Sequence, residues 1–338
     1  GLDTAAALDQ STGDGAIVTG FENVDAAGTD VALAVVNTGA GARILTGSGD
    51  DRIDYASGAV LAAGTGTDTL AMKQAGLGGL AALSVDLAAL DQTGGSGETA
   101  DVAGFEHLDA HGVPSTALSV RGRGGAETLH TGGGVDSIDG KGGADSIDAG
   151  AGDDRVVYAS AGTATLDGGT AGETQGDTLV GIAGAYGSPV VFDLSVLAGQ
   201  NQAVGAASVV RNFENLDFSA ATDAVTVTGR DGGRTLLTGA GDDSVMGGSG
   251  ADTITTGSGN DTLDGLGGAD SVTAGAGDDR VTYRGATGSF LDAGEQAAAG
   301  DTLVVAAVPA GRTALRIDFA AIDQSRVDDA TDDGVRVA

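Results

Sequence analysis

Aspartate recurs in this chain at a fixed interval and in fixed company. It fills position 6 of a nine-residue phrase, G-G-x-G-x-D-x-U-x (U aliphatic), as in Gly247–Thr255 and Thr256–Asp264. The residues at that position are Asp243, Asp252, Asp261, Asp270 and Asp279 in one stretch, Glu127, Asp136, Asp145 and Asp154 in another, and Asp51 in a third. A carboxylate set among backbone carbonyls offers hard oxygens, of which calcium takes six to eight. Glycine at positions 2 and 4 is expected to supply positive φ angles and let carbonyls converge. The turn glycines in question are Gly134, Gly143, Gly152, Gly241, Gly248, Gly250, Gly259, Gly268 and Gly277. Acids eighteen residues apart are expected to share an ion: Asp243 with Asp261, Asp252 with Asp270, Asp261 with Asp279, Asp136 with Asp154. Glu127 with Asp145 is a weaker pair, and Arg234, over Asp252, is expected to plug its end with its own cation. About six calcium ions would cancel roughly twelve negative charges.

Such a site needs turns held in register. Position 8 is aliphatic throughout: Ile53, Leu129, Ile138, Ile147, Val156, Leu236, Val245, Ile254, Leu263, Val272 and Val281. On a strand, positions 7 and 9 point away from 8, so position 8 forms the core while Thr, Ser, Arg and Asp face water. One nonapeptide gives a turn and a short strand, and two complete a coil. That periodic aliphatic column separates the pattern from flexible low-complexity sequence. The expected fold is all-β: one continuous parallel β-roll or β-helix solenoid over residues 1–338.

The nonapeptides form blocks at 37–54, 122–157 and 229–282, each opening on a degenerate copy (Ala42, Glu127, Arg234) and closing on Tyr55, Tyr158 or Tyr283. A longer repeat surrounds them. Gly20-Phe-Glu, Gly104-Phe-Glu and Asn212-Phe-Glu precede the blocks, and Asp68-Thr-Leu, Asp177-Thr-Leu and Asp301-Thr-Leu follow. Then come Val85–Leu90, Phe192–Leu197 and Ile317–Ile322, with a further copy at Leu2–Ala7. This sets repeat units at 1–85, 86–192 and 193–317, with another starting at 318–338. Phe21, Phe105 and Phe213 are expected to plug a wider core, and the tyrosines to cap the tight rolls.

Charge narrows the partners. A net charge of -32 repels nucleic acid and anionic lipid, and no apolar run reaches the roughly 20 residues that span a bilayer. With no cysteine, disulfides are excluded. The chain opens on Gly1 rather than Met and reads as a segment of something longer. No G-x-S-x-G, Walker loop or nucleophilic Cys occurs. His107 and His111 lack the glutamate of H-E-x-x-H and read as an exposed pair. The clustered aspartates suit calcium better than a glycosidase pair.

These repeats resemble the RTX (repeats-in-toxin) calcium-binding family, and the G-F-E-N-[VL]-D and D-L-x-x-L phrases resemble arrays in bacterial surface-layer proteins and large RTX adhesins. The resemblance implies calcium held by position-6 Asp and turn carbonyls in a parallel β-roll. It also implies export from Gram-negative cells by type I secretion and folding in extracellular calcium. The leading expectation is a non-enzymatic extracellular structural protein self-assembling into a surface layer or sheath, with cell-surface polysaccharide a further candidate partner. The alternatives are an adhesin stalk, or a calcium-binding C-terminal module of a type I secreted enzyme.

Overall fold

The computed structural model describes residues 21–307, apart from 38, 160–162, 185, 187–189 and 297–299, together with the backbone at 316–317, 325–326 and 336–337. The Leu2–Ala7 phrase and most of the unit expected from 318 lie outside the described residues. Among those described, regular structure is β, with one 3-10 helix at Gln74–Leu77. No helix there is long and apolar enough to cross a membrane. The chain forms two compact units, Gly1–Thr174 and Gln175–Ala338, the boundary falling within the second repeat.

In the first unit, Arg52–Asp54, Thr69–Lys73, His107–Gly112, Thr128–His130, Ser146–Asp148 and Thr165–Asp167 pair in parallel in that order. A second parallel row holds Ala82–Asp86, Ala117–Arg121, Ser137–Asp139 and Arg155–Tyr158. A third contains Val24–Asp25, Arg43–Leu45, Val60–Ala62 and Asp101–Ala103. The second unit repeats the plan. One row runs Asn215–Asp217, Thr235–Leu237, Thr253–Thr255, Ser271–Thr273 and Phe290–Asp292. The other runs Val190–Asp193, Val225–Thr228, Ser244–Ser249, Thr262–Gly267, Arg280–Tyr283 and Thr302–Val305. Consecutive nonapeptides thus go to alternate rows, two to a coil, and each unit is a parallel β-solenoid.

Register stacks position 8 on position 8. Leu129 lies beside Ile147, Ile138 beside Val156, Ile254 between Leu236 and Val272, and Leu263 between Val245 and Val281. All are buried, and each such side chain contributes roughly 1.5–3 kcal/mol. Position 7 is exposed in the strands Ser137–Asp139, Thr253–Thr255 and Ser271–Thr273. Position 9 departs from expectation in two of the three closing copies, where Asp54 and Thr282 are buried. Asp54 is covered by Lys73, whose Nζ lies 2.6 Å from its Oδ2.

Between the blocks the coil widens around a repeated clamp. Gln92 Nε2 donates to Phe105 O at 2.9 Å while Phe105 N donates to Gln92 Oε1 at 2.9 Å. Gln202 and Phe213 do the same at 2.8 and 3.0 Å. Phe105 and Phe213 are fully buried, as plugs should be, whereas Phe21 is 59% exposed at the edge of the described chain. The tyrosines are buried too. Tyr55 donates to Glu98 Oε1 at 2.8 Å, an arrangement suited to capping and closed to sugar stacking.

Candidate metal centre

Every position-6 acid stands just before a strand and is at most 7% exposed. Each aspartate spends one oxygen on the coil before it. The N–H of residue i−18 donates to Oδ1 of Asp136 from Leu118 (2.7 Å), of Asp154 from Asp136 (2.7 Å) and of Asp145 from Glu127 (3.0 Å). In the second unit a column runs from Val225 to Asp243 (2.7 Å), Asp243 to Asp261 (2.8 Å) and Asp261 to Asp279 (2.8 Å). The opposite column runs from Arg234 to Asp252 (2.8 Å) and from Asp252 to Asp270 (3.1 Å). The structure therefore brings together every pair the spacing pointed to. Arg234 differs from expectation in detail. Its guanidinium donates to Asp231 O at 2.7 Å and does not bond Asp252, acting on that carboxylate only as a nearby charge.

The second oxygen is the telling one. Oδ2 of Asp51, Asp136, Asp243, Asp252, Asp261 and Asp279 is buried without a hydrogen-bond partner. A buried carboxylate oxygen left so is costly. Burial also raises the carboxyl pKa of several acids of the ladders. Burial, with Asp136, Asp153 and Glu173 nearby, pushes Asp154 up to about 7. Burial likewise raises Asp145 and Asp252 to about 6, with Glu127 and Asp270 respectively adding repulsion. It lifts Asp136, Asp243, Asp261, Asp270 and Asp279 above the usual carboxylate range. A divalent cation between coils would satisfy these oxygens and remove the repulsion.

The glycines shape the space around them. A β-carbon on Gly140, Gly247 or Gly265, at position 1, would overlap Oδ2 of Asp145, Asp252 or Asp270, so glycine there keeps the carboxylate's free side open. At position 4, a β-carbon on Gly143, Gly152, Gly259, Gly268 or Gly277 would overlap the carbonyl oxygen of Gly125, Gly134, Gly241, Gly250 or Gly259, one coil below. Those five glycines, with Gly134 and Gly241, have positive φ as expected. Gly248 and Gly250 do not. The strand Ser244–Ser249 runs on through Gly248, and both glycines are required instead by close approach to the backbone of Arg230 and Gly232. The donors gathered here are carboxylate and carbonyl oxygens, a set that fits calcium. Gly259→Ala combines a φ of 133° with overlap on Gly241 O. It is expected to destabilise the calcium-loaded chain by about 2–3 kcal/mol, measurable as a lowered denaturation midpoint.

The ladders extend past the nonapeptides, through residues the spacing did not mark as ligands. Asp51 N donates to Asp68 Oδ1 at 2.7 Å, and Asp68 N to Glu106 Oε2 at 2.8 Å. In the second unit Asp279 N donates to Asp301 Oδ1 at 2.9 Å, and Asp177 N to Glu214 Oε2 at 3.0 Å. Asp68 is fully buried with Oδ2 unpartnered, and burial followed by Glu106 and Asp51 pushes it up to about 6. An arginine at position 2 of the opening copy meets each glutamate: Arg123 to Glu106 at 2.8 Å, Arg230 to Glu214 at 2.6 Å. The repeated D-T-L and F-E phrases were the available signal. His107 and His111 do not form a pair, because His107 Nδ1 accepts the Thr128 N–H at 2.7 Å while His111 turns to Asp109.

Residues 121–156, 228–263 and 255–285 match the family model described as the RTX calcium-binding nonapeptide repeat (4 copies). The chain thus carries RTX calcium-binding nonapeptide repeats, in the stretches where the paired carboxylates stack. A search of the curated proteins found no match.

Proposed function

We propose that this chain is a secreted, non-enzymatic structural protein whose calcium-loaded solenoid builds an extracellular assembly, a surface layer or sheath, by association with further copies of itself. RTX repeats support calcium binding and an extracellular setting. The observation that carries self-association is a leucine left bare at the same place in two repeats. In Val85–Leu90 and Phe192–Leu197 the first leucine, Leu87 or Leu194, is buried, while the second is 96% exposed at Leu90 and 74% at Leu197. The turn that presents them is the same. Asp86 Oδ1 accepts from Ala88 N and Asp193 Oδ1 from Ser195 N, both at 3.0 Å. A single exposed leucine means little, but one repeated with its turn offers the same apolar contact in each unit, as association of like copies requires.

Light scattering and electron microscopy of the chain with added calcium test this. Sheets or filaments are expected, with Leu90→Asp plus Leu197→Asp raising the concentration needed for assembly at least tenfold while leaving the β-sheet dichroism intact. Isolated particles at every concentration would overturn the reading in favour of an adhesin stalk.

A further inference from the structure

All three histidines of the chain fall within residues 107–130, and two of them converge outside the acid ladders. Asp109 and His130 are partners on adjacent parallel strands, as are His130 and Asp148. One residue per coil, they form a short column on the sheet. The register shifts between Asp109 and Gly112, and His111, in that stretch, lies against the column. Its ring centroid is 4.6 Å from that of His130. Its Nδ1 lies 2.9 Å from Asp109 Oδ1 and its Nε2 3.5 Å from Asp148 Oδ2. Asp109, His111 and His130 each offer one ligand atom, all within 4.8 Å of one another.

We propose that Asp109, His111, His130 and Asp148 form a second kind of metal site, which takes a zinc-class divalent transition metal and is separate from the calcium ladders. The donor set decides the class. Calcium requires six to eight oxygens, whereas imidazole nitrogen joined by carboxylate suits zinc and its first-row neighbours. Metal–ligand bonds of about 2.0–2.1 Å place ligand atoms about 3.3 Å apart. The present spread closes to that by side-chain rotation, since the His111 side chain is 52% exposed. Charge favours it as well. The two aspartates carry two negative charges, and the cation among them is Arg52, whose Nη2 sits 2.6 Å from Asp109 Oδ2. That ion pair fixes the Asp109 carboxylate and leaves Oδ1 toward His111.

The test is a cobalt titration of the full chain in saturating calcium, which keeps the acid ladders filled. One equivalent of Co2+ is expected to give the intensified visible band of a low-coordinate site and to be displaced by Zn2+. His111→Gln and His130→Gln should each weaken binding at least tenfold. Absence of the band, or a band unchanged in both variants, overturns the proposal. If a variant loses its β-sheet dichroism, the ring protons of His111 and His130 in the unmodified chain decide. They must broaden selectively with substoichiometric Co2+, and sharp unshifted signals overturn the site.

Discussion

EDTA is expected to abolish the β-sheet circular dichroism of this chain, and calcium to restore it. In the second unit Asp243, Asp261 and Asp279 follow one another a coil apart, buried, each with Oδ2 unpartnered. Two like charges one strand spacing apart, about 4.8 Å, repel by about 3.5 kcal/mol at an effective dielectric of about 20. A few such contacts match the whole net stability of a domain, about 5–15 kcal/mol. The metal-free chain can escape only by protonation or unfolding. Protonation gives the prediction its pH dependence. The folded-state values are raised, to about 7 for Asp154 and about 6 for Asp145 and Asp252, above an unfolded value near 3.9. The metal-free fold thus binds the extra protons, and their stabilisation is complete below about pH 4 and lost as pH rises through 6 to 7. Without calcium, β-sheet signal should therefore grow on acidification from pH 8 to 5. Calcium needs the ionised carboxylates, so its half-saturating concentration should rise over the same interval. A spectrum indifferent to EDTA between pH 5 and 8 would sink the metal argument.

What the sequence made legible was local and periodic. A buried residue at position 8 and an acid at position 6 repeat every nine residues, so the two-strand coil and the carboxylate pairs such as Asp252 and Asp270 follow from counting. What stayed hidden depends on segments that meet across irregular spacings. The Gln92 clamp on Phe105 closes a 13-residue loop, and its counterpart at Gln202 an 11-residue one, so no fixed period exposes them. Asp68 completes the ladder above Asp51 from 17 residues away and is itself capped by Glu106 from 38 away. Gly248 and Gly250 depart from the expected positive φ for another reason. Glycine can be required by a positive φ or by a neighbouring backbone, and composition alone does not separate the two. The convergence of His111 with His130 was equally invisible, because it arises from the register of adjacent coils and not from spacing along one strand.

Asp261→Asn should change stability in opposite directions with and without calcium. Asparagine keeps an oxygen to accept the Asp243 N–H, and its backbone still donates to Asp279 Oδ1. Shape and ladder are preserved; what changes is Oδ2, which becomes a neutral amide with donor hydrogens. In the metal-free chain this removes the middle charge of the Asp243–Asp261–Asp279 column and relieves both of its repulsive contacts, so the variant should be the more stable. With calcium, the same change withdraws a ligand from the two neighbouring sites that Asp261 serves and aims donors at the ions. Leaving partner charges buried and uncompensated costs about 3–5 kcal/mol, so the calcium-saturated variant should denature at markedly lower temperature and bind about two fewer of roughly six ions. Asp270→Asn is the graded comparison. The Asp270 N–H goes to Ser289 Oγ at 3.2 Å rather than to another carboxylate, so this residue serves one site with Asp252, and about one ion should be lost. A column that is only a hydrogen-bonded ladder would respond to both substitutions alike whether or not calcium is present, with no change in stoichiometry. Only bound cations give the reversal of sign and the two-to-one ratio in ions lost.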